Sequence, residues 1–132
     1  MEKELLNTFN KELLLKDLCA RLDTNLVCSI YRTDDEGAGY RDEILHGYCK
    51  GDIWYEFYFR EDCSISIDNV SKIKPYLFPL SSITKKTLEE LSAYIDIKNA
   101  YVAVEFFNSH HIDYRGLIEK GLAIDATGLG IY

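Results

Sequence analysis

Apolar side chains recur at helical spacing near the start of the chain. Leu14, Leu18 and Leu22 stand four positions apart and form one stripe. This period predicts an amphipathic helix whose stripe faces a core. A shorter amphipathic turn precedes it, and Asn10 is placed to cap the main helix. The polar segment 23–25 is predicted to end that helix.

Residues 26 to 68 alternate between apolar and polar side chains, which is the pattern of strands with one buried face. The alternation predicts a meander of about four antiparallel strands. It places Phe57 on the core face, with Trp54 and Tyr58 on the opposite face. The segment 33–40 holds three acids and two glycines and is predicted as a solvated loop.

The C-terminal half begins with the segment 71–82, which contains both prolines, Pro75 and Pro79. Proline cannot donate to a strand ladder, so this segment is predicted as an extended connector. Thr84 is predicted to begin a helix. Residues 99–111 fit a strand by composition and a helix by spacing, and the residues alone leave both open.

The end of the chain is predicted to close against the body. Asp113 is placed to cap a short helix over residues 114–120, with Gly121 just after its last turn. The remaining tail ends in apolar residues and is predicted to pack back. Together the patterns predict one α+β domain over residues 1–132, with an N-terminal helix, the meander, and two or three C-terminal helices.

Composition narrows the classes of function. The chain has 132 residues, 47% of them hydrophobic and 28% charged, and a net charge of −7. Such a composition is typical of a globular domain, and the acidic excess argues against a nucleic-acid partner. The sequence contains no run of 18 apolar residues, so no membrane span is predicted, and the first residues do not resemble a signal peptide. A cytoplasmic protein is expected.

The four cysteines, Cys19, Cys28, Cys49 and Cys63, lack the spacing of a zinc site. Each stands at an apolar position of a helix or strand pattern. They are therefore predicted to be buried and reduced, and no metal or cofactor is predicted.

Ionisable and aromatic groups crowd together in one segment, 110–115. Imidazole titrates near neutral pH and ligates metals, and a guanidinium group binds phosphate or carboxylate with two parallel hydrogen bonds. Adjacent histidines on a helix point about 100° apart, so both do not readily serve one ion. The arginine is as easily explained by a structural pair with the nearby Asp113 or Glu119. The candidate ligand-binding residues are His110, His111, Asp113, Tyr114 and Arg115.

The second candidate is the outward face of the predicted sheet. Exposed sheet aromatics such as Trp54 and Tyr58 anchor protein partners, unless the C-terminal helices cover that face and make it part of the core. The sequence leaves the exposure of this face open. No nucleophile has a complete catalytic set beside it, which favours a binding protein over an enzyme.

Three blocks of the sequence resemble one family. Lys16–Leu22 (KDLCARL), Lys74–Thr84 (KPYLFPLSSIT) and His110–Ala123 (HHIDYRGLIEKGLA) resemble blocks that occur in this order in uncharacterised small proteins of gut Bacteroidales genomes, their phages and mobile elements. The resemblance is weakest over residues 26 to 70. It implies a mobile-element setting, and it implies no catalytic residue, cofactor or activity.

The chain departs from the family pattern at three places. Phe78 stands where the family usually has arginine, which weakens an anion-binding role for the connector. The segment 23–25 stands where the family has Pro-Tyr-Gly. Phe106 and Phe107 stand where it has tryptophan and leucine, and that form implies a helix over residues 99–110. The resulting hypothesis is a small accessory or regulatory protein that binds a protein partner. The alternative is a small-ligand or anion-binding protein or enzyme that uses the segment 110–115.

Overall fold

The computed structural model describes residues 2–34, 37–50, 55–60, 63–94 and 100–132. Helices and strands are mixed along the chain, which confirms the α+β class. The helices are α1 (Glu2–Ala20), α2 (Lys85–Tyr94) and α3 (Ala100–Ser109). The strands are β1 (Val27–Asp34), β2 (Gly37–Ile44), β3 (Gly47–Lys50), β4 (Tyr55–Arg60), β5 (Cys63–Ser66), β6 (Ile73–Pro79), β7 (Ile112–Asp113) and β8 (Ile124–Asp125). Short 3₁₀ segments, Ile67–Lys72 and Leu80–Ser82, flank β6.

The first helix is continuous, so the predicted break at Asn10 is wrong. The Oδ1 atom of Asn10 is buried and has no hydrogen-bond partner, and therefore caps nothing. Leu14 and Leu18 are buried in the core, as the apolar stripe predicted. The helix ends where expected, because Asp23 and Asn25 have positive φ angles of 68° and 55°. Asn and Asp adopt this left-handed conformation more readily than other residues with side chains.

The strands form two sheets. In the first sheet, β2, β1 and β6 are neighbours and antiparallel, and β6 also pairs in parallel with β7 and β8. The second sheet has the antiparallel order β3-β4-β5. The predicted meander is thus divided between two sheets, because β1 and β2 pair with β6 from the second half of the chain.

Residues 33–34 and 37–40, the described part of the predicted loop, lie in strands. β1 continues to Asp34, β2 begins at Gly37, and these two residues pair. Gly37 has a φ of 124°, a conformation that a residue with a side chain rarely adopts. Most side chains of β2 are exposed, so polar residues are tolerated there and the apolar alternation of a buried strand is absent.

The proline-containing connector is in fact the central strand of the first sheet. Pro75 is the last residue of β6 paired with β1, and Pro79 is the last paired with β7. A missing N–H disrupts least at the end of a ladder, so both prolines are compatible with a strand. Thr84 caps α2 as predicted, since the backbone N–H of Thr87 donates to its Oγ1 at 3.2 Å.

The core lies between α1, the first sheet and β4. Phe57 and Phe59 are fully buried and Tyr58 between them is exposed, so the predicted alternation of β4 is confirmed. Trp54 lies outside the described residues. The buried apolar cluster consists of Leu14, Leu18, Leu26, Cys28, Ile30, Leu45, Phe57, Phe59, Ile65, Val70, Ile73, Leu77, Leu117 and Ala123.

Cysteine burial was predicted correctly at Cys28 and incorrectly at Cys19, which is exposed on α1; both are free thiols. Burial raises the pKa of the Cys28 thiol far above its usual range. The side chains of Cys49 and Cys63 lie outside the described part of the structure. Among the helices that the structure describes, none combines the length and hydropathy that a bilayer span requires.

Candidate functional site

The segment 110–115 connects α3 to β7, and its position is set by the backbone. Residues 100–109 are helical, which confirms the helix that the resemblance implied. His111 has a φ of 59° and turns the chain out of this helix. Its carbonyl then accepts a hydrogen bond from the N–H of Phe78 at 2.8 Å, which docks the segment against β6.

A buried ion pair on α1 lies beneath this segment. Asp17 and Arg21 stand one turn apart and are both 0% exposed. Arg21 donates to both oxygens of Asp17, from Nε at 2.9 Å and from Nη2 at 3.2 Å. Its guanidinium also donates to the carbonyls of Ile112 at 2.6 Å and Phe107 at 3.3 Å. The pair therefore ties the end of α1 to α3 and β7.

Arg115 joins the same carboxylate from 98 residues away. Its Nη1 donates to Oδ1 of Asp17 at 2.8 Å, and its side chain is 22% exposed. The predicted structural pair exists, but the predicted partners Asp113 and Glu119 are wrong. Two guanidinium groups share one carboxylate. The sequence carried a signal for this cluster, because Asp17 and Arg21 stand at the i and i+4 positions beside the apolar stripe.

Tyr114 lies against both arginines. Its ring centroid is 5.4 Å from the Cζ of Arg21 and 4.5 Å from that of Arg115. These distances fit cation–π contacts, which are strongest where water is excluded. The hydroxyl of Tyr114 donates to Oδ1 of Asn108 at 2.9 Å, so its polar end is also bound within the protein.

The helix predicted over residues 114–120 is wrong, since these residues form a turn, but the side chain of Asp113 makes hydrogen bonds like those of the predicted cap. Its carboxylate accepts hydrogen bonds from the N–H groups of Leu117 and Ile118, both at 2.9 Å. Gly121, with a φ of 72°, donates to the carbonyl of Ile118, and Leu122 donates to that of Leu117. This is the paired 5→2 and 6→1 bonding of a Schellman ending on a single turn. The hydrogen bonds expected at the start and at the end of the predicted helix are therefore formed, but the residues between them form a turn and not a helix.

The two histidines face different surroundings. His110 is exposed and stacks on Phe106, with ring centroids 4.0 Å apart. His111 is buried and stacks on Tyr132, with centroids 3.9 Å apart and planes at 13°. The predicted separation of adjacent histidines is therefore seen. Within the residues that the structure describes, no group of three or more His, Cys, Asp or Glu side chains is arranged to hold a metal ion.

His111 is held as a neutral ring. Its Nδ1 is buried without a hydrogen-bond partner. Burial, followed by the positive charges of Arg21 and His110, lowers the pKa of His111 from 6.5 to about 4. A neutral imidazole with so low a pKa is a weak base at neutral pH.

The C-terminal tyrosine closes over this ring and packs the tail onto the body, as predicted. The hydroxyl of Tyr132 accepts a hydrogen bond from the N–H of Val27 at 2.9 Å and donates to the carbonyl of Tyr76 at 2.8 Å. Burial raises the pKa of Tyr132 far above its usual range. Since its hydroxyl forms hydrogen bonds with backbone groups, we assign Tyr132 a structural role.

Of the predicted site residues, Tyr114 and Arg115 contact the ion pair of Asp17 and Arg21. Asp113 instead binds the backbone of the turn that follows it, and His110 is exposed. A cleft of about 330 Å³ borders Asp113 and Tyr114, with Pro79, Leu80 and Ser81 on its far side. The buried carboxylates of Asp17 and Asp113 accept hydrogen bonds from protein donors, whereas Glu119, which also lines the cleft, is exposed. The arrangement can hold two segments together, and within the cluster of Asp17, Arg21 and Arg115 the partly exposed side chain is that of Arg115.

The outward sheet faces carry the other candidates. Tyr58 is 39% exposed, and its ring covers Gly47 across the β3–β4 pair, where a Cβ would come within 3.1 Å of the ring. On β2, Tyr40 is 71% and Ile44 40% exposed. The exposure of Tyr40 was not predicted, because residues 33–40 were expected to form a loop. The available signal was Tyr31 in the predicted strand before it, whose register partner is Tyr40.

No family model, curated protein or solved structure matches this chain.

Proposed function

We propose that this protein is a small interaction module that binds a partner protein through the outward aromatic side chains of its sheets. Its setting, a cytoplasmic accessory or regulatory role linked to a mobile element, is proposed from the resemblance described above. The observation that carries the proposal is the exposure of Tyr40, 71% of whose surface is open to solvent on a strand.

Large exposed side chains on strands are common in surfaces that bind other proteins. Tyrosine is enriched in the energetically dominant parts of interfaces, because its rigid ring offers a large contact area and a hydrogen-bonding tip. Tyr40, Ile44 and Tyr58 all project from strands, whose backbone holds them in place. Little side-chain freedom would be lost when a partner covers them.

The polar side chains of Asp17, Asp113 and His111 support the same proposal, because they do not form a set of catalytic groups directed at a substrate. Asp17 accepts three hydrogen bonds from arginines, and Asp113 accepts two from the backbone. His111 is neutral and stacked. A catalytic base or nucleophile needs a free lone pair directed at a substrate, whereas the carboxylates of Asp17 and Asp113 accept hydrogen bonds inside the protein and the ring of His111 is buried against Tyr132.

A photo-crosslinking experiment tests the proposal. The amino acid p-benzoylphenylalanine replaces Tyr40 or Tyr58 in tagged protein, which is irradiated in a lysate of the organism that encodes the chain. Leu129 is the control position, because it is 53% exposed but lies on the C-terminal tail. We expect one partner to crosslink from a sheet position and not from Leu129. Equal labelling from all three positions, or none from either tyrosine, would refute the proposal.

A second candidate, anion binding at the segment 110–115, is favoured by one observation. Asp17 balances only one of the two arginines that it contacts, and Arg115 reaches the surface. An Arg side chain with open donors suits phosphate or carboxylate. Titration with inorganic phosphate, followed by the backbone amide NMR signals of residues 110–118, tests it. Lys120→Met is the control for loss of an exposed charge, and a response that survives Arg115→Met would exclude this candidate.

A further inference from the structure

A small cleft opens on the outer face of the first sheet, where β6 begins beside β1 and β2. It has a volume of about 200 Å³ and is lined by Tyr31, Tyr40, Ser71, Lys72 and Lys74. Tyr31 and Tyr40 are register partners whose rings meet edge to face at 5.1 Å. Side chains alternate along a strand, so both rings point away from the buried Ile30.

The polar groups around this cleft are two ammonium groups, which only donate hydrogen bonds, and three hydroxyls, which donate and accept them. Lys72 and Lys74 are exposed, and no carboxylate lines the cleft. No described carboxylate pairs with either lysine. The nearby Asp42 accepts a hydrogen bond from the hydroxyl of Tyr76 at 2.7 Å. An occupant must therefore supply the acceptors, and the two ammonium groups favour one with negative charge.

The size of the cleft decides what kind of anion fits. Pockets for whole small ligands measure about 300–1,000 Å³, and this cleft is smaller. It has room for one side chain of a larger molecule. The ring of Tyr40 offers an apolar wall for the methylene groups of that side chain, and the ring is also the most exposed of the proposed interaction residues.

We propose that this cleft binds an acidic side chain of a partner protein, with its carboxylate between the ammonium groups of Lys72 and Lys74 and its methylene stem against Tyr40. The inference rests on the proposed function and names the chemistry of the partner, an acidic surface segment. The whole chain carries a net charge of −7, so binding depends on this local pair of cations rather than on the overall field.

Model peptides test the inference without the natural partner. The probe is a ten-residue peptide of alternating serine and glutamate, and its control alternates serine and glutamine. Amide NMR signals of the folded protein report the site. We expect the glutamate peptide to shift signals of Tyr31, Tyr40, Lys72 and Lys74, and the glutamine peptide to shift none. Equal shifts by both peptides, or shifts confined to other residues, would overturn the inference.

Two charge variants separate the local pair from net charge. Lys72→Gln with Lys74→Gln should weaken glutamate-peptide binding about twofold to thirtyfold, the range for two exposed ion pairs. Lys85→Gln with Lys86→Gln removes the same charge from the exposed start of α2 and should change binding less than twofold. Similar losses in both variants would refute the local site. Tyr40→Ala, a change at an exposed position, should also weaken binding.

Competitors distinguish the other occupants. Inorganic phosphate, added at the same concentration as the carboxylate groups of the glutamate peptide, should fail to displace that peptide. An oligouridylate should bind more weakly than the glutamate peptide does. A self-association that the lysine substitutions abolish would assign the cleft to a second copy of the chain and overturn the inference. If no peptide binds while Tyr40 crosslinks to a partner, this inference fails and the proposed function stands. If the peptide binds and no partner crosslinks, only the proposed function fails.

Discussion

Asp17→Asn should destabilise the protein strongly, because it removes the charge that balances a fully buried guanidinium. Asp17 and Arg21 are both 0% exposed, and Asp17 accepts three hydrogen bonds from arginine N–H groups. Asparagine keeps the shape of aspartate but turns an amide donor toward those groups. Removing one partner of a buried ion pair costs about 3–5 kcal/mol. Since domains are stable by about 5–15 kcal/mol, the loss is a large fraction of the total.

Urea unfolding followed by circular dichroism measures this loss. Asp23→Asn is the matched control, because it removes a negative charge from an exposed residue just beyond the same helix and should change stability by less than about 0.5 kcal/mol. Arg115→Met should cost only about 1–2 kcal/mol, since Asp17 keeps Arg21 and Arg115 is partly exposed. A loss below about 1 kcal/mol for Asp17→Asn would show that this carboxylate does not neutralise Arg21.

Three further predictions concern the same region. The unfolded pKa of His111 is near 6.5 and its folded pKa is about 4, so the unfolded state binds the extra proton, and stability should fall by roughly 3 kcal/mol as pH drops from 6.5 to 4. His111→Asn, which tolerates the positive φ and takes up no proton, should flatten that part of the pH profile of the urea midpoint. Asp113→Ala should cost about 1–2 kcal/mol in the same assay and speed amide exchange at Leu117 and Ile118, whose donors lose their acceptor. Tyr132→Phe should lower stability by about 0.5–1.5 kcal/mol, because the N–H of Val27 and the carbonyl of Tyr76 lose a hydrogen-bond partner, and an unchanged melting temperature would contradict this.

The features predicted correctly from the sequence are those that local spacing encodes. The stripe of α1, the cap by Thr84, the cap by Asp113 and the alternation around Phe57 each depend on residues within one or two turns of each other. In each case the local preference and the final packing agree. The helix over residues 100–109 was ambiguous by composition, because aromatic and β-branched residues suit both kinds of element.

The features predicted wrongly depend on contacts across the chain. Residues 37–40, which were predicted as a loop, form a strand because β1 pairs with them on an exposed edge. The proline segment forms a central strand because its neighbours need few donors from it. Arg115 finds Asp17 at a separation of 98 residues, which no spacing rule encodes. Each error arose where a long-range partner, rather than local preference, decided the structure.

The blocks that carry the family resemblance meet at one corner of the fold. Lys16–Leu22 supplies the buried pair, His110–Ala123 supplies Arg115 and the carbonyl that Arg21 binds, and Lys74–Thr84 pairs with β7 through Phe78. Buried side chains that hold a helix against a strand stabilise the fold. The exposed Tyr40 and Tyr58 lie in the region where the resemblance is weakest. We therefore propose that the corner is the scaffold and that partner binding resides in the strands that it supports, so that Tyr40→Ala with Tyr58→Ala should abolish capture of the partner protein and leave the urea midpoint of unfolding nearly unchanged.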